Sequence, residues 1–431
     1  MPAEEPARED KMTYYSAALA AAVAMLGGQS ALAQTQIDVL RVVVNPEQEA
    51  YLEQMARDFE ALNEGVTVRF EYVANEAYKA RLPTLLQSNA APDILYSWGG
   101  QTVVEQVEAG FLQPIDDLLP EGFRDTIPEA GLQAYDVGGQ LYGLPQYATE
   151  VVFWTNTALT DQAGIDLDSL ATWDDFLDAV QRIKDAGITP IVAGGQDRWP
   201  LHFYWSYLAL REGGPDVVTN AMAGENGGFE NEAFIAAGRQ FQRLIALEPF
   251  QPGFISTTYE TASGMFADGA GAFHLMGDWD YLPMRERSTS GEGLPDDQLA
   301  IISFPTVTNP VAEGGNDATL GGINGWAVTA GAEPEAIEFL AFMMNAENQR
   351  EAGRQELFIP IAIGTSDAME NPFYVQVARN IEASSYHQIC LDQFLGASVG
   401  ATINEISADL ARGAITPEDA AAQVQEAWDF R

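Results

Sequence analysis

The chain has 431 residues, too many for a single hydrophobic core, and two lobes are expected. Its 47% apolar content and 8 tryptophans exclude a disordered protein. A formal net charge of −42 excludes nucleic acid and anionic lipid as partners, disfavours an anionic ligand, and suits a surface solvated in salty water.

The N-terminus reads as an export signal. An apolar run, Ala17 to Leu26, precedes Ala31-Leu32-Ala33, a small-residue cleavage pattern, and Gln34 would begin the mature chain. The opening MPAEEPARED is acidic, wrong for such a signal, so the start is placed at Met12. The run is too short to anchor the chain in a membrane. Cys390 is the only cysteine, so no intramolecular disulfide forms and no cysteine after the run can take a lipid. A freely diffusing periplasmic protein is expected, cut near Ala33. A buried N-terminal helix is the alternative.

Downstream, Ile37 to Val44 is a strand ended by Asn45-Pro46. Pro46 to Leu62 is a helix, with Tyr51, Leu52, Met55, Phe59 and Leu62 at helical spacing. Val66 to Val73 alternates as a strand, Tyr78 to Ser88 is helical, and Asp93 to Tyr96 is a strand. This alternation predicts a parallel, doubly wound sheet, whose ligands sit at the carboxyl ends of the strands. Two loops lie there: Asn45 to Gln48, and Ser97-Trp98-Gly99-Gly100-Gln101. Val151 to Thr155 opens a further sheet. Thr172 caps a helix with Asp175 three residues on. Ile191 to Ala193 is a strand leading to Asp197-Arg198-Trp199-Pro200. Pro200 begins a helix, Leu201 to Leu210, with Trp199 at its mouth. In Met265 to Leu282 a helix end and a glycine turn lead to a buried strand, which breaks at Gly277 before Asp278-Trp279-Asp280. Thr416-Pro417 caps a last helix with Val424, Ala427 and Trp428 on one face.

Aromatic faces beside groups of fixed donor and acceptor pattern suit a polar ring such as a sugar. Trp98, Trp199 with Asp197 and His202, Trp279 with Asp278 and Asp280, and Tyr147 are the candidates. Gln48 is either a capping group or a ligand contact, and His202 is either a contact or a satisfied core histidine. Gly322, with Gly321, either admits a ligand to the backbone or permits a bend, and Asn324 lies just beyond. Trp154, Trp173, Trp205 and Tyr207 read as core or structural.

No nucleophile elbow, zinc motif, P-loop or dinucleotide fingerprint is present. Three scattered histidines and one cysteine give no metal-ligand spacing, and no cofactor is expected. Asp278 and Asp280 could form the carboxylate pair of a secreted glycosidase only if the strand continued past Gly277.

Several segments resemble, in order, the bacterial family 1 extracellular solute-binding proteins, the group that includes maltose-binding protein. Ala91-Pro92-Asp93-Ile94 resembles the family's "PD(V/I)". Gly143-Leu144-Pro145 and Val151 to Asn156 resemble "G(V/I)P…V.YYN", with Trp154-Thr155 a departure. Thr172 to Phe176 resembles "TW(D/E)E", and Met265 to Leu282 the "F..G.AAM...G.W" element. Leu320 to Asn324 with Trp326 to Val328, and Ala336 to Gln349, resemble its later strand and helix. The resemblance implies an α/β two-lobed fold with a sheet in each lobe, and residues 34–149 with 305–361 in one lobe. Residues 150–304 with 362–431 would form the other. It places lobe crossings at Tyr147 to Val151, Phe304 to Val307 and Ile359 to Gly364. It implies a monomer delivering a neutral mono- to oligosaccharide or glycoside to the permease subunits of an ABC importer, with lobes that hinge shut. A polyamine-binding protein of the same fold, a glycosidase, and an extracellular adhesin or sensor are the rivals.

Overall fold

The computed structural model describes residues 35–312 and 317–431; the export-signal reading, with Met12, Ala33 and Gln34, lies outside them. Strand β1 (Thr35–Val42) pairs in parallel with β2 (Val66–Val73) and, on its other side, with β3 (Ile94–Ser97). Helices α1 (Pro46–Leu62) and α2 (Asn75–Leu86) alternate with them, as the periodicity predicts, and α3 (Gln101–Glu108) follows β3. Asn45 caps α1 by accepting the Gln48 N–H at 2.8 Å, and Tyr51, Leu52, Met55 and Phe59 are buried. Leu62, on the last turn, is 72% exposed because the helix ends there and nothing packs over it.

A short hairpin of β4 (Asp136–Val137) and β5 (Gln140–Leu141) precedes β6 (Gly143–Asn156). The strand expected at Val151 to Thr155 is the far half of β6: no breaker separates the halves, and all fourteen residues are buried. β6 also pairs with β7 (Phe273–Gly277), β8 (Leu299–Ile302), β9 (Thr319–Val328) and β10 (Ile359–Pro360), while β11 (His387–Ile389) pairs with β9. Strands β10-β6-β9-β3-β1-β2, with β11 beside β9, form one sheet, and the far half of β6 with β7 and β8 forms the other, so the two sheets join through β6. The β6–β9 pair is the bridge.

Two hydrophobic cores flank that bridge. One gathers residues 37–148 and 323–358 with Ile389, and includes Trp326 and Phe59. The other gathers residues 151–320 and 359–428, and includes Trp154, Trp173 and Trp205. Phe304 and Val307, expected at a crossing, both pack in the second core; the chain returns to the first along β9, between Leu320 and Ile323. The second core is built on α4 (Trp173–Asp185), α5 (Trp199–Gly213), α6 (Tyr259–Ala267), α7 (Ala397–Ala411) and α8 (Pro417–Asp429). Thr172 and Asp175 form the predicted capping box, and Thr416 caps α8. α5 starts at Trp199 and is buried on every side, which explains its lack of a polar face. The strand expected at Ile191 to Ala193 is reduced to isolated bridges from Ile191. No helix among the described residues is long and apolar enough to cross a membrane.

Candidate functional site

A cavity of about 340 Å³ lies between the two cores. On one side it is walled by the carboxyl ends of β1 and β3, where doubly wound sheets take ligands. On the other side stand the start of α5, the start of α6 and the turn after β7. The β6–β9 bridge forms its floor through Thr149, Gly321, Gly322 and Asn324.

Three indoles from three separate segments converge here: Trp98, Trp199 and Trp279. Trp98 follows β3 and packs edge-on against Tyr96, ring centroids 5.0 Å apart. Gly99 and Gly100 turn the chain behind it at φ of 73° and 71°, where other residues are strained. Trp199 opens α5 and lies 4.9 Å from the Tyr259 ring. Asp197 does not line the cavity; its carboxylate accepts the Tyr259 N–H at 2.7 Å and ties the two helix starts together.

Trp279 explains the glycine that precedes it. Gly277 has φ −72° and ψ 162°, open to any residue, so its role is space. A Cβ there would collide with the Trp279 ring, which lies flat across the glycine. The strand thus ends in a bare surface that an indole covers, and its other face lines the cavity. The flanking carboxylates point the other way. Asp278 is 2% exposed and accepts the Glu150 N–H at 2.7 Å. Asp280 is fully buried; it accepts the Tyr259 hydroxyl at 2.7 Å and an Arg287 N–H at 3.4 Å, and His274 Nε2 stands 3.4 Å away. The three-residue turn Asp278–Asp280 rotates them inward, so they do not form a carboxylate pair facing the cleft.

Tyr147, Gly322 and Asn324 also line the cavity. The Tyr147 hydroxyl is 2.8 Å from that of Tyr96. Gly322 donates its N–H to Thr149 Oγ1 at 2.7 Å. Asn324 Oδ1 is buried without a partner, an acceptor free for a ligand hydroxyl. Gly321 permits close strand pairing, since a Cβ there would strike the Thr149 carbonyl.

Gln48 and His202 stand behind the wall. Gln48 donates to the Leu357 carbonyl at 2.7 Å and accepts from Arg41 at 3.3 Å, a structural task. His202 is fully buried, with Nδ1 2.9 Å from Ser206 Oγ and Nε2 3.1 Å from Asp392 Oδ1. It therefore holds a wall residue that sequence reasoning missed. Burial would raise the Asp392 carboxyl, but His202 and Lys79 outweigh it and bring it down to about 2, so it faces the cavity ionised. Lys79 was missed too: its ammonium sits 5.6 Å from the rings of both Trp98 and Trp199, a cation–π bridge across the cleft. Arg287, over the Tyr259 ring at 4.7 Å, completes the charged wall. The scarcity of lysine was the available signal for Lys79; Asp392 carries none, because its partner His202 is 190 residues away in sequence.

At the floor, burial and repulsion from Asp278 push the Glu150 carboxyl up to about 8, against a hydrogen bond from Asn380 at 2.9 Å. Burial raises Asp278 to about 7. Among the described residues, no group of three His, Cys, Asp or Glu side chains is placed to hold a metal ion.

The chain is similar to an ABC transporter extracellular-binding protein of Pyrococcus horikoshii, 24% identical over 54% of this chain and 53% of that one. It is 24% identical to a xylose/arabinose-binding protein of Haloferax volcanii, over 57% of this chain and 54% of that one. The alignments thus span about half the length of these relatives. A solved structure connected with xylan utilisation by Caldanaerobius polysaccharolyticus superposes with a TM-score of 0.81 at 24% identity, covering 91% of this chain and 99% of the other. The model of the bacterial extracellular solute-binding protein family matches residues 45–350, from the cap of α1 into the second helix after β9. With two cores, a strand bridge and a cleft at the strand ends, the chain belongs to that family.

Proposed function

We propose that the protein is the periplasmic substrate-binding component of an ABC importer, and that its cleft takes a neutral carbohydrate. The observation that carries this reading is the convergence of Trp98, Trp199 and Trp279 on one cavity beside the free acceptor Asn324 and the ionised Asp392. Indole faces cover the C–H side of a sugar ring, and fixed polar groups pair its hydroxyls. The protein is a monomer, exported and cut near Ala33. Its lobes are residues 35–149 with 321–358 and residues 150–320 with 359–431, following the two cores. Ligand draws the lobes together across the β6–β9 bridge through better contacts in the closed form, and that form docks on the permease. Lys79 and Arg287 in the wall oppose a dication such as a polyamine.

The test is a thermal-shift screen of neutral sugars, their glycosides and polyamines, since a ligand of the native state raises its melting temperature by mass action. Stabilisation by sugars and not by polyamines is expected. A shift with polyamines alone would overturn the carbohydrate assignment, and turnover of a chromogenic glycoside would overturn the assignment as a binding protein.

A further inference from the structure

Beyond Trp98 the cleft continues into a second chamber of about 480 Å³. Lys79, Tyr96, Trp98, Asp392 and Gln393 wall both chambers, so the two adjoin at the Trp98 indole. The chemistry changes across that junction. The second chamber sets Leu82, Leu86 and Phe111 of the first core against Ala397 and Ala401 of α7. Ala397, Ala401 and Asn404 recur at i, i+4 and i+7 and share one face of that helix. Both alanines are exposed and their side chains stop at Cβ, which leaves the space open.

Two residues of this chamber have buried amide oxygens without partners, Gln106 Oε1 and Asn404 Oδ1. Leu82, Leu86 and Phe111 form one face of the chamber, against which the hydroxyls of a second sugar ring would find no partner, while Thr102, Glu105, Gln106 and Asn404 line the rest. A flat aromatic group would instead shed water against those side chains.

We infer that the ligand is an aryl glycoside: its sugar lies in the first chamber among the three indoles, and its aromatic aglycone passes Trp98 into the second. The inference rests on the carbohydrate reading of the first chamber. A phenolic hydroxyl on the aglycone would supply the donor that Gln106 or Asn404 lacks.

The experiment is calorimetric titration of the full exported protein with paired methyl and p-nitrophenyl glycosides of xylose, arabinose, glucose, galactose and N-acetylglucosamine. For each sugar that binds, the p-nitrophenyl member should bind about tenfold tighter. Ala401→Phe, on an exposed helix position, should abolish that advantage and leave the methyl glycoside unaffected; Ala397→Phe is the second variant, should the first not fold. Equal affinities within the pairs, or an advantage that survives both variants, would overturn the inference while leaving the carbohydrate reading intact. So would affinity that grows with oligosaccharide length and is lost in Ala401→Phe, which would assign the chamber to further sugar rings. Binding by no glycoside of either kind would remove both readings together.

Discussion

Trp279 and Asp280 are neighbours in sequence and belong to opposite layers of the cleft. The indole lies across Gly277 and lines the cavity, while the carboxylate is fully buried and held by Tyr259 and Arg287. The same division runs through Trp199 and His202, one turn apart on α5: Trp199 lines the cavity and His202, behind it, orients Asp392. Aromatic residues after strand ends reached the wall, and the polar residues beside them became its support. A wall residue should govern affinity and barely touch stability; a residue behind it should do the reverse.

The largest expected effect is on the layer behind. Asp280→Ala leaves the Tyr259 hydroxyl and Arg287 without their shared partner, and should cost about 3–5 kcal/mol of stability in the unliganded protein. Urea denaturation measures it; an unchanged midpoint would move Asp280 out of the structural layer. On the wall, Trp279→Ala should weaken binding of the best sugar from the screen by about 1–3 kcal/mol and leave the apo melting temperature nearly unchanged. Calorimetry paired with melting decides, and severe destabilisation would make Trp279 a core residue. Gly277→Ala should follow it in the same direction, because the new methyl displaces the ring.

A smaller effect is expected at the floor. The Glu150 and Asp278 carboxyls lie at about 8 and about 7, above the carboxylate range near 4, so the folded state holds protons that the unfolded state releases. Their contribution is complete below about pH 4 and is lost as pH rises through 7 and 8. Glu150→Gln should remove part of that loss, about 1–2 kcal/mol between pH 5 and 9, read from denaturation midpoints. An identical pH profile for the variant would place the titration elsewhere. The smallest effect should come from salt. The net charge of −42 repels itself, so melting should fall by a few degrees, roughly 1 kcal/mol, when sodium chloride is withdrawn. An unchanged or higher melting temperature at low salt would contradict that.

Much of the fold was legible because its signals are local. The β-α-β-α-β start, the cap at Thr172 and the helix at Thr416 follow from periodicity and capping chemistry within a few residues. The β6–β9 bridge was not, because pairing of Glu150 with Gly321 joins segments far apart in sequence. In the site, tryptophans beside glycine could be read, since a bulky ring next to a bare backbone is a local pattern. The direction of a polar side chain could not: Gln48 turns to Leu357, Asp197 to Tyr259 and His202 to Asp392, all distant partners. Lys79 and Asp392 meet their neighbours only in the fold.

The distribution of tryptophans also makes the cleft its own optical probe. Trp154, Trp173, Trp205 and Trp326 are essentially sealed, and Trp199 and Trp428 nearly so, which leaves Trp98 and Trp279, both on the cleft wall, as the partly exposed indoles. Emission from the sealed group is indifferent to the solvent, so a blue shift on adding sugar originates at Trp98 and Trp279, with Trp199, which also lines the cavity, the one further contributor. Acrylamide, a neutral quencher that the acidic surface does not repel, should reach the same pair and be excluded as the cleft fills.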